Sequence, residues 1–212
     1  MAVSLASFRR YHAGSAWTWE RMALTRARVV AGPPALSARV AAAIHAAMAA
    51  GPSERVRADA AAMRGRLARD LPQTGFWDVK LRPGGLMEVE FIAQALQLLH
   101  AREHPEATSP TTRIALHRLA DAGLLDRADA ALLIRADHFW RTLQGMLRIT
   151  VGRVGGEELP GPSAEMLTRA AGVVDVTELG ATMEALAHEV REVFERLVGR
   201  PEPAVLEGMR SE

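Results

Sequence analysis

The strongest constraint on the fold is a spacing: apolar residues recur every three or four positions, in runs that glycine or proline cuts short. Between 176 and 198 the stripe is Leu179, Met183, Leu186, Val190, Phe194 and Leu197, one face of an amphipathic helix. Over 86–100 it is Leu86, Val89, Ile92, Ala93, Leu96 and Leu99. Residues 16–30 carry Trp19, Met22, Leu24, Ala27 and Val30 and stop at Gly32-Pro33-Pro34, with Ser15 placed to cap the start. Residues 35–50 are nearly all alanine on one side and stop at Gly51-Pro52, after which Ser53 can cap a third helix reaching about Asp70. Further helices are expected over 112–123, 126–149 and 163–171, the last after a glycine- and proline-rich connector at 152–162. Only 76–81 reads as a strand. The expectation is an all-α bundle of seven or eight helices, with at most one short strand or hairpin near 76–82.

Composition narrows the function classes. With 212 residues and 49% hydrophobic content, the chain can bury a substantial core. Its 26 basic and 25 acidic residues leave +1, so bulk charge gives no reason to expect nucleic acid or an anionic membrane as partner. There is no cysteine, which excludes disulfides, zinc–thiolate sites, iron–sulfur clusters and cysteine nucleophiles. No run approaches the ~18 apolar residues of a membrane helix. The start, MAVSLASFRRYH, lacks the apolar stretch of a secretory signal, so cytoplasm is the expected location. Among seven histidines, His100 and His104 are four apart, but His104 precedes Pro105, where a helix ends, and no metal site is expected.

The stretch with chemical interest is 77-WDVKLRPGGLMEVEFIAQ-94. If extended, it puts Asp78, Lys80 and Arg82 on one face, either as a solvated edge or as charges meeting a ligand. Gly84-Gly85 before a helix can present backbone N–H groups to an anion, although it is neither a Walker loop nor a GxGxxG fingerprint. Glu88 and Glu90 diverge by about 200° on a helix, so they are not an acid/base pair. Glu90, Gln94 and Gln97 align at i, i+4 and i+7 as a polar stripe that must be exposed, satisfied by neighbours, or lining a site. Arg26 and Arg28, on the first long helix, are either phosphate clamps or surface ion pairs.

Two of these segments carry a resemblance. 16-AWTWERMALTRARVVAG-32 and 78-DVKLRPGGLMEVEFIAQ-94 resemble consecutive signatures of the bacterial glutamine synthetase adenylyltransferases, bifunctional enzymes that add AMP to, and remove it from, a tyrosine of glutamine synthetase. 113-RIALHRLADAGLL-125 and 137-DHFWRTLQGMLRI-149 resemble the helical domain that follows each nucleotidyltransferase domain and is shared with the PII uridylyltransferases. The tryptophans of AWTWE look like those of the second, adenylylating module. The resemblance implies three segments: 1–32 as the end of a nucleotidyltransferase domain with a long helix at 16–31, 33–200 as the helical bundle, and 201–212 as a polar tail. It also implies ATP and Mg²⁺ as cofactors of the whole enzyme, and glutamine synthetase as partner. A PII-type signal protein or glutamine would be the regulator if the chain is instead a sensing module. The family's metal-holding carboxylates precede the AWTWE helix, and residues 1–15 contain no Asp or Glu. No catalytic or metal residue, and no cofactor, is therefore expected in this chain alone. Arg26, Arg28, Asp78, Lys80, Arg82, Gly84, Gly85, Glu88, Glu90 and Gln94 are the expected lining of the nucleotide or domain-interface side.

Overall fold

The structure, a computed structural model, describes residues 3–51, 53–150, 159 and 161–201. Among them are nine α-helices and no strand. They are α1 Leu5–Gly14, α2 Thr18–Leu24, α3 Pro34–Ala49, α4 Ser53–Asp70, α5 Leu86–His100, α6 Thr112–Asp121, α7 Arg127–Thr150, α8 Gly161–Ala171 and α9 Val176–Leu197. A 3-10 turn at Pro105–Ala107 links α5 to α6. The all-α expectation holds. The connector at 152–162 lies mostly outside the described residues, as does the side chain of Ser53.

Helix α5 is the axis of the bundle. Ten of its fifteen residues are buried, including Leu86, Val89, Ile92 and Leu96, and α2, α4, α6, α7 and α9 all pack against it. Around it Trp140, Leu143 and Phe194 are wholly enclosed. Local chemistry sets several ends. Asp126 Oδ1 accepts from the N–H groups of Ala128 and Asp129 at the start of α7. Asp175 accepts from Glu178 N–H at the start of α9, while Glu178 reaches back to Val174 N–H.

The N-terminal region departs from expectation. Residues 16–30 do not form one helix: α2 stops at Leu24, because the Thr25 hydroxyl turns back to Met22 O at 2.7 Å and competes with the backbone ladder. Arg26 and Ala27 then close tighter turns onto Ala23 O and Leu24 O. Ser15 does not cap α2; it ends α1, its N–H donating to Tyr11 O. Glu20 serves the start of α2 instead, accepting from Trp17 N–H. Helix α1 itself was not anticipated, since His12 is its single buried residue and the stripe is too thin to read.

The expected strand at 76–81 is absent as well. Asp78 converts the segment into turns: its Oδ1 accepts from Leu81 N–H, and its Oδ2 accepts from the N–H and hydroxyl of Thr74. Asp78 N–H donates to Gly75 O, and Arg82 N–H donates to Asp78 O. An Asp anchoring its own turn outcompetes a strand with no neighbour to pair with.

Candidate functional site

The turn ends in a latch. Gly84 has φ +70, and a Cβ there would lie 1.8 Å from Ala187 O in α9, so only glycine lets the turn approach that helix. Its N–H donates to Glu88 Oε2 at 2.9 Å. Glu88 is fully buried, and its Oε1 accepts from Arg64 Nε of α4 at 2.9 Å and from Arg191 Nη1 of α9 at 2.7 Å. Arg64, only 2% exposed, also donates to Leu81 O. The anion that the Gly84-Gly85 turn receives is therefore the chain's own carboxylate. Gly85 is equally constrained, with Val79 O 2.6 Å from where a Cβ would sit. One buried carboxylate with two guanidiniums and a backbone amide ties α4, the turn, α5 and α9 together.

Glu90, two residues on, heads a second network on a different side of α5. Its Oε1 accepts from Arg26 at 2.9 Å and from Arg141 of α7 at 2.7 Å. Arg141 also donates to Asp137, a buried carboxylate that meets Arg113 of α6 at 3.4 Å. Burial lowers the Arg141 guanidinium, but Asp137 and then Glu90 outweigh it and hold it above its ordinary value. Gln97 is buried and satisfied, donating to Ala93 O and accepting from Ser109 N–H. Gln94, half-buried, makes no hydrogen bond among the described residues.

The face imagined for Asp78, Lys80 and Arg82 does not form. Asp78 is spent on its turn, Lys80 points outward, and Arg82 is buried between the rings of Phe76 and Trp140, 5.4 and 5.6 Å from their centroids. Burial lowers the Arg82 guanidinium, with the charge of Glu184 opposing. Lys80 and Arg148 flank a depression of about 190 Å³ floored by Trp77 and Leu147. Arg28, exposed, borders another of about 170 Å³ with His45 and Ser109. Sequence reading missed Arg64, Arg191, Arg141 and Asp137. Their only signal was charge within otherwise apolar stripes, and Arg191 lies 103 residues from its partner. Among the described residues no three His, Asp or Glu gather to hold a metal. Asp78 and Glu88 at the turn do not fit Mg²⁺ either, since both are already engaged by guanidinium or backbone N–H groups. No described helix is long and apolar enough to cross a membrane.

Comparison with known proteins adds identity to this geometry. A family model described as GlnD PII-uridylyltransferase matches residues 55–198. One described as glutamate-ammonia ligase adenylyltransferase matches residues 1–43. Three similar proteins each bear the name bifunctional glutamine synthetase adenylyltransferase/adenylyl-removing enzyme. That of Rhodopseudomonas palustris (strain TIE-1) is 35% identical over 94% of this chain and 20% of its own length. That of Bradyrhizobium diazoefficiens is 36% identical over 96% and 21%. That of Xanthobacter autotrophicus is 39% identical over 93% and 20%. The chain thus spans about a fifth of the length of the curated relatives it matches.

Proposed function

We propose a function on one premise: this chain belongs to the glutamine synthetase adenylyltransferases, through the helical domain that they share with the PII-uridylyltransferases. It acts as their C-terminal helical region, supporting transfer of AMP from ATP, with Mg²⁺, to a tyrosine of glutamine synthetase in the cytoplasm. The chain supplies shape and an interface; the reacting metal and its carboxylates belong to the adjoining nucleotidyltransferase domain. In this reading the segment up to residue 32, with α1 and α2, packs with that domain, and 33–200 forms the helical body.

The observation that carries the reading is the state of the carboxylates. Asp78, Glu88, Glu90 and Asp137 are all engaged by guanidinium or backbone N–H groups within the chain. These four carboxylates are held in place by their partners, which suits a supporting role and leaves none of the four free to hold a metal. The candidate residues then divide by role. Gly84, Gly85, Glu88 and Arg82 hold the turn, and Asp78 shapes it. Lys80 on the turn, and Arg26, Arg28, Glu90 and Gln94 away from it, are assigned to the nucleotide or the neighbouring domain.

The test is a Lys→Gln change at the position of Lys80 in a full-length relative; in this chain Lys80 is exposed and makes no ion pair among the described residues. AMP transfer to glutamine synthetase should fall while the melting temperature stays put. Unchanged turnover would remove the interface role. Regulation by a PII-type protein or by glutamine is the second reading; the 55–198 family match is consistent with a PII-type partner and says nothing of glutamine. Glutamine raising the melting temperature of this chain would support it.

A further inference from the structure

We propose that the cleft between α7 and α9 is a docking groove for an amphipathic helix of a partner protein that carries acidic residues beside its apolar stripe. The inference is independent of the transfer reading and concerns the face where α7, α8 and α9 meet. The cleft measures about 680 Å³, several times the depressions beside Lys80 and Arg28.

Its two walls are helical stripes. Helix α7 contributes Arg135, His138, Phe139, Thr142 and Leu143, and α9 contributes Thr182, Ala185, Leu186 and Glu189. Both sets follow the i, i+3, i+4, i+7 spacing of one helix face. The C-terminal end of α8, from Arg169 to Gly172, closes one side. Leu143 is wholly buried at the base, while Phe139 and Leu186 are only partly covered.

Large apolar residues also stay exposed on α7, on α8 and just after α8, outside the cleft lining. Ile149, 80% exposed, continues the α7 stripe one heptad beyond Thr142. Met166, 43% exposed, sits one turn before Ala170 on α8, and Val174, 89% exposed, follows Gly172. A stripe from Arg135 to Ile149 runs about 21 Å along α7, roughly four turns, a length that suits a helix better than a drug-sized molecule.

Charge selects the kind of helix. Arg135 and Arg169 are exposed and make no ion pair among the described residues, and His138 lines the cleft with them. Glu189 is the single acidic residue of the lining. Acidic side chains flanking the apolar stripe of an incoming helix would pair with both guanidiniums, and a basic helix would meet repulsion.

The experiment uses the full chain and two labelled helical peptides of about sixteen residues. Both carry the same leucine stripe, one flanked by glutamate and one by lysine, read by fluorescence polarisation and by amide chemical shifts. The acidic peptide should bind saturably, with shifts gathered on α7 and α9, and the lysine peptide should bind roughly tenfold more weakly. Arg135→Glu with Arg169→Glu should invert that preference, and Leu186→Glu should weaken both peptides. Equal binding of the two peptides, absence of binding, or shifts elsewhere would overturn the proposal. So would full competition by citrate alone, which would make the cleft a small-anion site.

Discussion

Replacing Glu88 by glutamine removes one charge from the latch and nothing from its volume. The carboxylate is fully buried, Arg64 beside it is 2% exposed, and Arg191 is part-buried. An uncharged amide leaves the Arg64 guanidinium buried without its carboxylate, while Arg191, partly exposed, keeps only Glu195. It also turns an N–H₂ toward either Gly84 N–H or the arginines. Breaking a buried pair in this way costs about 3–5 kcal/mol. For a chain of this size that lowers the melting temperature by roughly 6–20 °C. Urea unfolding followed by circular dichroism measures the change in free energy, and an unchanged slope shows that the same surface is still exposed on unfolding. Arg64→Met combined with Glu88→Leu should recover part of the loss, because an apolar pair of similar volume avoids the desolvation of both charges. A loss below about 1 kcal/mol for Glu88→Gln would refute the latch.

Four further outcomes follow from local geometry. Gly84→Ala, which pushes a Cβ into Ala187 O from a left-handed backbone, should cost about 2–4 kcal/mol. Gly145→Ala, inside α7 with nothing within 4 Å, should instead stabilise by about 0.5–1 kcal/mol; paired melting curves decide both. Glu90→Gln should cost about 1 kcal/mol, and the cost should shrink in high salt because Arg26 and Arg141 are partly exposed. Burial pushes His12 and His100 below the ordinary value of 6.5, with Arg21 adding to it at His12 and His104 and Arg57 at His100. The unfolded chain then takes up protons first, so their contribution is full above pH 6.5 and is lost as pH falls below it. His12→Gln with His100→Gln should flatten that acid slope in urea titrations; an unchanged slope would assign it to other groups.

What could be read before the structure depended on where each signal was stored. The bounds of α5 were legible to the residue, because its apolar period begins at Leu86 directly after Gly84-Gly85 and fades at His100. The ends of α7 and α9 were legible through Asp126 and the apolar period. The strand misreading came from alternation alone, which a charged turn mimics when an Asp accepts from N–H groups on both sides of it. The early end of α2 lay in a single hydroxyl, Thr25, inside a run that otherwise reads as helix. The sequence allowed Gly84-Gly85 to present N–H groups to an anion without naming one; the anion is Glu88, and two of its holders come from α4 and α9. Partners separated by 24 and 103 residues leave no periodic trace.

The central claim, that this chain is the supporting body of an adenylyltransferase and does not hold the reaction itself, meets its most direct test in the mass of the substrate. Glutamine synthetase subunits would be weighed intact after incubation with Mg-ATP and this chain, beside a full-length relative as the active control. The account predicts an AMP-sized increase with the relative and none with the folded chain. An AMP-sized increase with the chain alone would contradict it, and would require a catalytic carboxylate site within these 212 residues.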